Sequence, residues 1–218
     1  MSEMRYYMFG ESTLVIESRP PVSLTVQQRI WGLAQQLVHE PGVAEVIPGM
    51  NNLTIRLQAI PPSQQEAVSQ LEAWWHAAES FIPASRNIDI PVIYGKTAGP
   101  DLSSLAETVG LTPKQVVEAH SAECYTVFFI GFQPGFPYLS GLSPRLACPR
   151  HKTPRLSVPA GSVGIAGSQT GIYPLTSPGG WQIIGQTSSL LFDETREAPF
   201  LLRPGDTVRF IPHKDGLC

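Results

Sequence analysis

The chain lacks an excess of positive charge, any long apolar run and enough cysteine for a framework, and each shortage removes a class of function. Its 218 residues carry 15 Lys and Arg against 18 Asp and Glu, a formal net charge of -3. Such a balance gives no basic face for a phosphate backbone or an anionic membrane, so neither nucleic acid nor membrane is expected as a partner. Unbroken apolar runs are a handful of residues long, far short of the roughly 20 needed to cross a bilayer. The opening residues, Met1-Ser2-Glu3-Met4-Arg5, lack the basic start, apolar centre and cleavage site of a secretory signal, which implies a cytoplasmic location. Three widely spaced cysteines, Cys124, Cys148 and Cys218, read as reduced thiols rather than as disulfide partners or zinc ligands. Phosphate-loop, H-E-x-x-H and G-x-S-x-G signatures are missing too, and no His/Cys set is clustered for a metal.

What is present is a chain long enough for two modest cores, with 42% hydrophobic residues. Tyr6 to Phe9 and Thr13 to Glu17 read as a hairpin across Gly10-Glu11-Ser12. Thr25 and Gln28 are spaced as a capping box before Ile30, Leu33, Ala34, Leu37 and Val38, and Pro41-Gly42 stops that helix. Val43 to Ile47 and the alternating Leu53 to Ala59 predict two more strands. Ser63 with Glu66 predicts a second capped helix, striped by Ala67, Val68, Leu71, Trp74, Trp75 and Ala78. The order β-β-α-β-β-α implies a small antiparallel sheet covered on one side by two helices.

A polar stretch, Glu79 to Asn87, places a boundary near residue 86, giving a small α+β domain over 1–86 and a second domain over 87–218. Strand-like Ile88 to Tyr94 opens the latter, followed by a short helix capped by Asp101 and closed by Gly110. Another is opened by Thr112-Pro113 with Gln115 in a capping box. From Tyr125 onward lie 12 of the 19 glycines and 11 of the 21 prolines, a density that excludes long helices. The apolar runs 125–132, 156–159, 162–166, 171–175, 181–187 and 207–211 read as strands, and a barrel closes them without exposed edges. The fold class expected is therefore α+β, with a β-barrel in the second half.

Three segments carry candidate chemistry. In Gly131-Phe132-Gln133-Pro134-Gly135-Phe136-Pro137-Tyr138-Leu139, a stiff aromatic loop holds one amide, a suitable wall for a small polar ligand. A packed barrel corner would read the same way. Pro159 to Gly171 is rich in glycine and small residues whose backbone N–H groups could face an anion, although glycines at this spacing equally suit turns and bulges. Tyr173 to Gln182 adds Tyr173 and Trp181 around Gly179-Gly180. Arg155 offers a fork of donors for carboxylate or phosphate. His120 and Glu123 are the candidates for acid–base work, set against a helix-end histidine and a solvated glutamate.

The segments Gly131 to Leu139, Arg155-Leu156, Val158 to Val163, Gln169-Thr170-Gly171, Tyr173-Pro174 and Ser177-Pro178-Gly179-Gly180-Trp181 together resemble the KipI/PxpB family, also called allophanate hydrolase subunit 1. The likeness extends to Pro48-Gly49-Met50-Asn51-Asn52, Ile90 to Gly95, Leu202-Arg203-Pro204-Gly205-Asp206 and the ending Gly216-Leu217-Cys218, and is strongest to the family's 5-oxoprolinase branch. It implies a small N-terminal α/β sandwich-like domain followed by a cyclophilin-like β-barrel. It also implies a PxpC/KipA-like and a PxpA-like partner subunit, 5-oxoproline as substrate, and ATP, with Mg, as co-substrate. Other members inhibit a sporulation histidine kinase, and related domains in urea carboxylase transfer a carboxyl group. No catalytic residue is carried over. On residue chemistry, Gln133, Phe136, Tyr138, Arg155, Ser162, Gln169, Thr170, Tyr173 and Trp181 are expected to bind substrate or nucleotide. Arg155 and the Gly161–Gly171 backbone would take phosphate or carboxylate, with Gln133 and Tyr138 orienting the lactam.

Overall fold

The computed structural model describes residues 3–213, so Cys218 and the ending Gly216-Leu217-Cys218 lie outside the described residues. The chain divides into two compact units, 1–83 and 84–218. In the first, β1 (Met4–Met8), β2 (Thr13–Ser18), β3 (Val43–Pro48) and β4 (Asn52–Leu57) form an antiparallel sheet in the order β1-β2-β4-β3. Helices α1 (Leu24–Leu37) and α2 (Gln64–Ala77) pack on it. Alternation decides which face is covered: Leu14 and Ile16 of β2 and Leu53 and Ile55 of β4 are buried together with Ile30, Leu33 and Leu37 of α1 and Leu71 and Trp75 of α2.

The first helix starts two residues before the expected cap. Ser23, not Thr25, stands at the N-cap and accepts from the Val26 N–H. A remote asparagine explains the choice. Asn51, held at φ 53° in the β3–β4 turn, accepts from the Ser23 N–H at 2.5 Å and donates to the Ser23 carbonyl at 2.9 Å. The Pro48-to-Asn52 motif thus anchors the helix start, and Asn51 is a structural clamp.

In the second unit, β5 (Asn87–Tyr94), β6 (Tyr125–Ile130), β7 (Pro137–Ser140), β9 (Ser162–Ala166), β10 (Gln169–Ile172), β12 (Gln182–Gln186) and β13 (Thr207–Pro212) close a barrel in the order β10-β7-β6-β13-β5-β12-β9. Every pairing is antiparallel except β13 with β5. Two further strands, β8 (Arg155–Val158) and β11 (Ser177–Gly179), pair with each other outside the ring. Helices α3 (Leu102–Val109) and α4 (Pro113–Ser121) add Leu102, Leu105, Val116 and Val117 to the barrel core. The Thr112–Gln115 capping box forms as expected. The α+β class and the barrel are as the sequence implied, and β7 and β11 are additions, short strands whose prolines and glycines read as loop. Near the start of the unit, Arg86 grips the buried Asp206 carboxylate through both its backbone and its guanidinium, and the Arg203 N–H donates to the same carboxylate. That is the role of the Arg-Pro-Gly-Asp motif.

Candidate functional site

Against the barrel lies a second, smaller core of Phe136, Val158, Ala166, Tyr173, Trp181 and Ile183, with Tyr138 packed beside it. It opens into a pocket of about 240 Å³ walled by Phe132, Phe136, Tyr138, Tyr173 and Trp181, with Arg150, Pro154 and the 178–180 backbone completing the lining. The rings meet mostly edge to face: Phe136 lies at 5.2 Å from Tyr173 and 5.4 Å from Trp181, both close to perpendicular. Such contacts lock ring orientations; Phe136, Tyr173 and Trp181 are all buried, and one face of Tyr138 stacks on Phe129 at 4.2 Å. Glycine is required at 179, because a Cβ there would collide with the Tyr173 hydroxyl. Phe132 reaches the rim from a backbone at φ 66°, a left-handed conformation costly for a bulky residue, and its side chain is 61% exposed.

Hydrogen bonds between loops hold this shape. Gln133 donates from Nε2 to the Leu175 carbonyl at 3.3 Å, tying two walls together. The loop carrying Arg150 is stitched on both sides: Gln182 donates to the Pro149 carbonyl at 3.0 Å, and the His151 N–H donates to the Gly180 carbonyl at 2.8 Å. Arg150 sits with its guanidinium 5.8 Å from the Trp181 ring centroid. Burial pushes the Tyr138 and Tyr173 hydroxyls above their ordinary pKa, against the opposing pull of Arg150 on both.

Asp101 is the hub behind this wall. It stands at the start of α3 as expected, yet its carboxylate does not cap the helix. Instead it accepts from the Ile183 N–H at 2.6 Å and from Arg155 Nη2 at 2.5 Å. His151 Nε2 lies 3.2 Å from Oδ2, the oxygen that accepts from Ile183, at ion-pair distance but not aligned for a hydrogen bond. Burial pushes the Asp101 carboxyl up, but the Arg155 and Ile183 donors outweigh it and hold the pKa below the usual carboxylate range. Arg155 Nη1 is buried without a partner.

The structure therefore brings together Phe136, Tyr138, Tyr173 and Trp181, with Gln133 bracing them and Arg155 tied to Asp101 behind. It does not bring the others there. Ser162 and Thr170 are buried in the barrel. Gln169 is half-buried at the start of β10, opposite Ala166 and outside the pocket lining. The glycine-rich 159–171 stretch is no anion cradle, because its strands β9 and β10 commit their N–H groups to pairing with each other, with β7 and with β12. Gly161 N–H donates to the Tyr173 carbonyl and Gly167 N–H to Cys148. The acid–base pairing of His120 with Glu123 is likewise corrected. His120 is fully buried, with Nδ1 2.8 Å from the Tyr94 hydroxyl and Nε2 2.9 Å from Thr170 Oγ1. Thr170 spends its only proton on the Gly164 carbonyl at 2.9 Å, so His120 must donate from Nε2 and accept at Nδ1, the neutral tautomer. Burial lowers its pKa to about 3, and Glu123 is half-exposed. Sequence reading missed Phe132, Arg150, His151 and the role of Asp101. The one available signal was the basic run Arg150-His151-Lys152 in a chain of net negative charge.

Residues 4–202 match the family model described as carboxyltransferase domain, subdomain C and D. The chain belongs to that family. Among relatives of this carboxyltransferase-domain chain, a 5-oxoprolinase subunit of Escherichia coli O157:H7 is 55% identical over 218 residues, covering 100% of both chains. The corresponding 5-oxoprolinase subunit of Haemophilus influenzae is 47% identical over 95% of this chain and 97% of its own. In three dimensions the chain is similar to the crystal structure of TTHA0988, with a TM-score of 0.76 and 35% identity over 93% of this chain. It spans only 40% of that larger chain. Among the described residues, no helix is long and apolar enough to cross a membrane.

Proposed function

We propose that the chain is one subunit of an ATP-dependent 5-oxoprolinase, which opens 5-oxo-L-proline to L-glutamate together with PxpA-like and PxpC/KipA-like subunits. The observation that carries this is the full-length 55% identity with the Escherichia coli 5-oxoprolinase subunit. The pocket supports it from the chemistry side. Its volume of about 240 Å³ lies below the roughly 300–1,000 Å³ of clefts for drug-sized ligands, which suits a small ring rather than a whole nucleotide. The aromatic lining would pack against a lactam ring and strip water from it, while the hydroxyl of Tyr138 can donate to the lactam carbonyl.

A lactam is resonance-stabilised, with a poor leaving group on a poor electrophile. ATP supplies the activation, by turning the carbonyl oxygen into a group that can leave. No nucleotide contact is assigned to this chain: the pocket is too small, and the glycine-rich stretch is built into the β9 and β10 ladders.

The test is to purify the chain alone and co-expressed with its two partner subunits, then follow glutamate and ADP from 5-oxoproline and ATP. Equal release of both from the complex alone is expected. A verified complex that releases neither would overturn the proposal. The family description favours a second reading, carboxyl transfer, which would show itself as turnover dependent on bicarbonate and a biotinylated carrier.

A further inference from the structure

Among the described residues, Arg150 is the one cation lining the aromatic pocket, and no acidic side chain lines it. Among the described residues it has no ion-pair partner; its contact is the face of Trp181. Arg155, five residues on, is in the opposite state, committed through Nη2 to the Asp101 carboxylate. Two arginines, one on the loop before β8 and one at the start of that strand, thus differ in a way that matters chemically. One is paired with a carboxylate and positions the wall, while the other, among the described residues, has all five donors unspent.

The backbone makes this a built arrangement. The two residues flanking Arg150 are each fixed by a hydrogen bond to the 180–182 segment that carries Trp181. Cys148 on the same loop is bridged in both directions to Gly167. Arg150 is therefore carried on a pinned base beside Trp181, and the ring leaves the guanidinium edge free for a planar two-oxygen acceptor. Phe136, Tyr138 and Trp181 offer an apolar body site next to that edge.

We infer that this pocket binds a small cyclic carboxylate, its ring against the aromatic lining and its carboxylate held by the guanidinium of Arg150. The inference rests on the oxoprolinase reading for the identity of the ring compound, 5-oxoproline, and adds the anchor that selects the free acid. Arg150 is a binding residue here, while Asp101 and Arg155 position the wall behind it.

The assembled three-subunit complex is the material for the test. Arg150→Gln is compared with wild type using 5-oxoproline and its carboxamide, the isosteric ligand without the charge. Wild type should prefer the acid. R150Q should raise KM for the acid by about tenfold to a hundredfold, the worth of a charge-assisted bidentate bond. KM for ATP should not change, and the preference for acid over amide should largely vanish. Arg150→Lys should fall between the two, because lysine keeps the charge and loses the fork. The side chain is exposed, so folding is not at stake in either variant. If wild type turns over 5-oxoproline and R150Q keeps both its KM and its acid preference, the anchor is wrong and the oxoprolinase reading stands. A wild-type complex without turnover removes the reading, and the inference with it.

Discussion

The barrel unit holds two polar clusters around a histidine or a carboxylate, one inside the ring and one beside the aromatic pocket. Inside, Tyr94, His120, Thr170 and the Gly164 carbonyl form a chain in which each proton has one acceptor, and the Tyr125 hydroxyl closes it onto the His120 carbonyl. His120 also stacks on Phe210, with centroids 4.5 Å apart. Beside the pocket, Asp101 is satisfied, but among the described residues Arg155 Nη1 has no partner and Arg150 faces no carboxylate. A closed network specifies a fold. An open one has donors left for something the chain itself does not supply.

The strongest way to break this comparison is to cut the closed network. His120→Ala removes the ring, leaves a void and strands the Tyr94 and Thr170 hydroxyls in the core. It should cost about 3–5 kcal/mol of unfolding free energy, read from the urea midpoint. Whatever folded fraction remains should keep its KM for 5-oxoproline in the complex. A stable H120A protein without turnover would instead restore His120 as an acid or base.

Asp101→Asn attacks the other cluster. One carboxamide oxygen can still accept from Ile183, but the NH2 is set against the donors of Arg155. Because the Arg155 side chain is about a third exposed, solvent screens the loss, and roughly 1–3 kcal/mol is expected rather than the full cost of a buried pair. Unlike H120A, this variant should also alter KM for 5-oxoproline, since the wall carrying Trp181 loses its brace. Unchanged KM would confine Asp101 to stability.

The sequence showed the frame well and the site in part, and the reason lies in how far apart the partners are. Caps act within three residues, so Ser63 and the Thr112–Gln115 box were readable. Alternation and punctuation act within one strand, so most of the barrel was readable too. The Asp101 carboxylate, by contrast, meets its partners 54 and 82 residues away. Nothing near Asp101 distinguishes it from an ordinary helix cap. Asn51 and Ser23 are 28 residues apart, and that contact moved the start of α1 away from Thr25. The aromatic motifs were visible as composition, whereas their convergence on one pocket required β8 to pair with β11, a strand that sequence reading left as loop.

Acid separates the two clusters by pH. His120 is held neutral, its pKa lowered from an ordinary 6.5 to about 3. Its contribution is therefore fully present above pH 6.5 and lost as pH falls from there toward 3, at about 1.4 kcal/mol per pH unit. Asp101 is also depressed, so its contribution stays intact through most of that range and goes only below the usual carboxylate pKa. Urea unfolding of wild type and His120→Gln from pH 7 to pH 4 checks this. The wild-type curve should fall more steeply, and parallel curves would mean that His120 titrates in the fold as it does in the unfolded chain.

The smallest effect concerns the pocket rim. Phe132 occupies the left-handed region at φ 66°, at a cost of roughly 1–2 kcal/mol for a residue with a Cβ. Its exposed ring makes edge contacts with Phe136 at 5.5 Å and Tyr173 at 6.2 Å, each worth about 0.5–1.5 kcal/mol. Phe132→Gly loses those contacts and relieves the backbone, so its stability should lie within about 1 kcal/mol of wild type. Phe132→Ala loses the same contacts and keeps the strain, which places it below the glycine variant by about 1 kcal/mol. Both should weaken binding of 5-oxoproline in the complex, because both remove the rim ring. An alanine variant as stable as the glycine one would show that the backbone at this position carries no strain, and that the ring alone accounts for the residue.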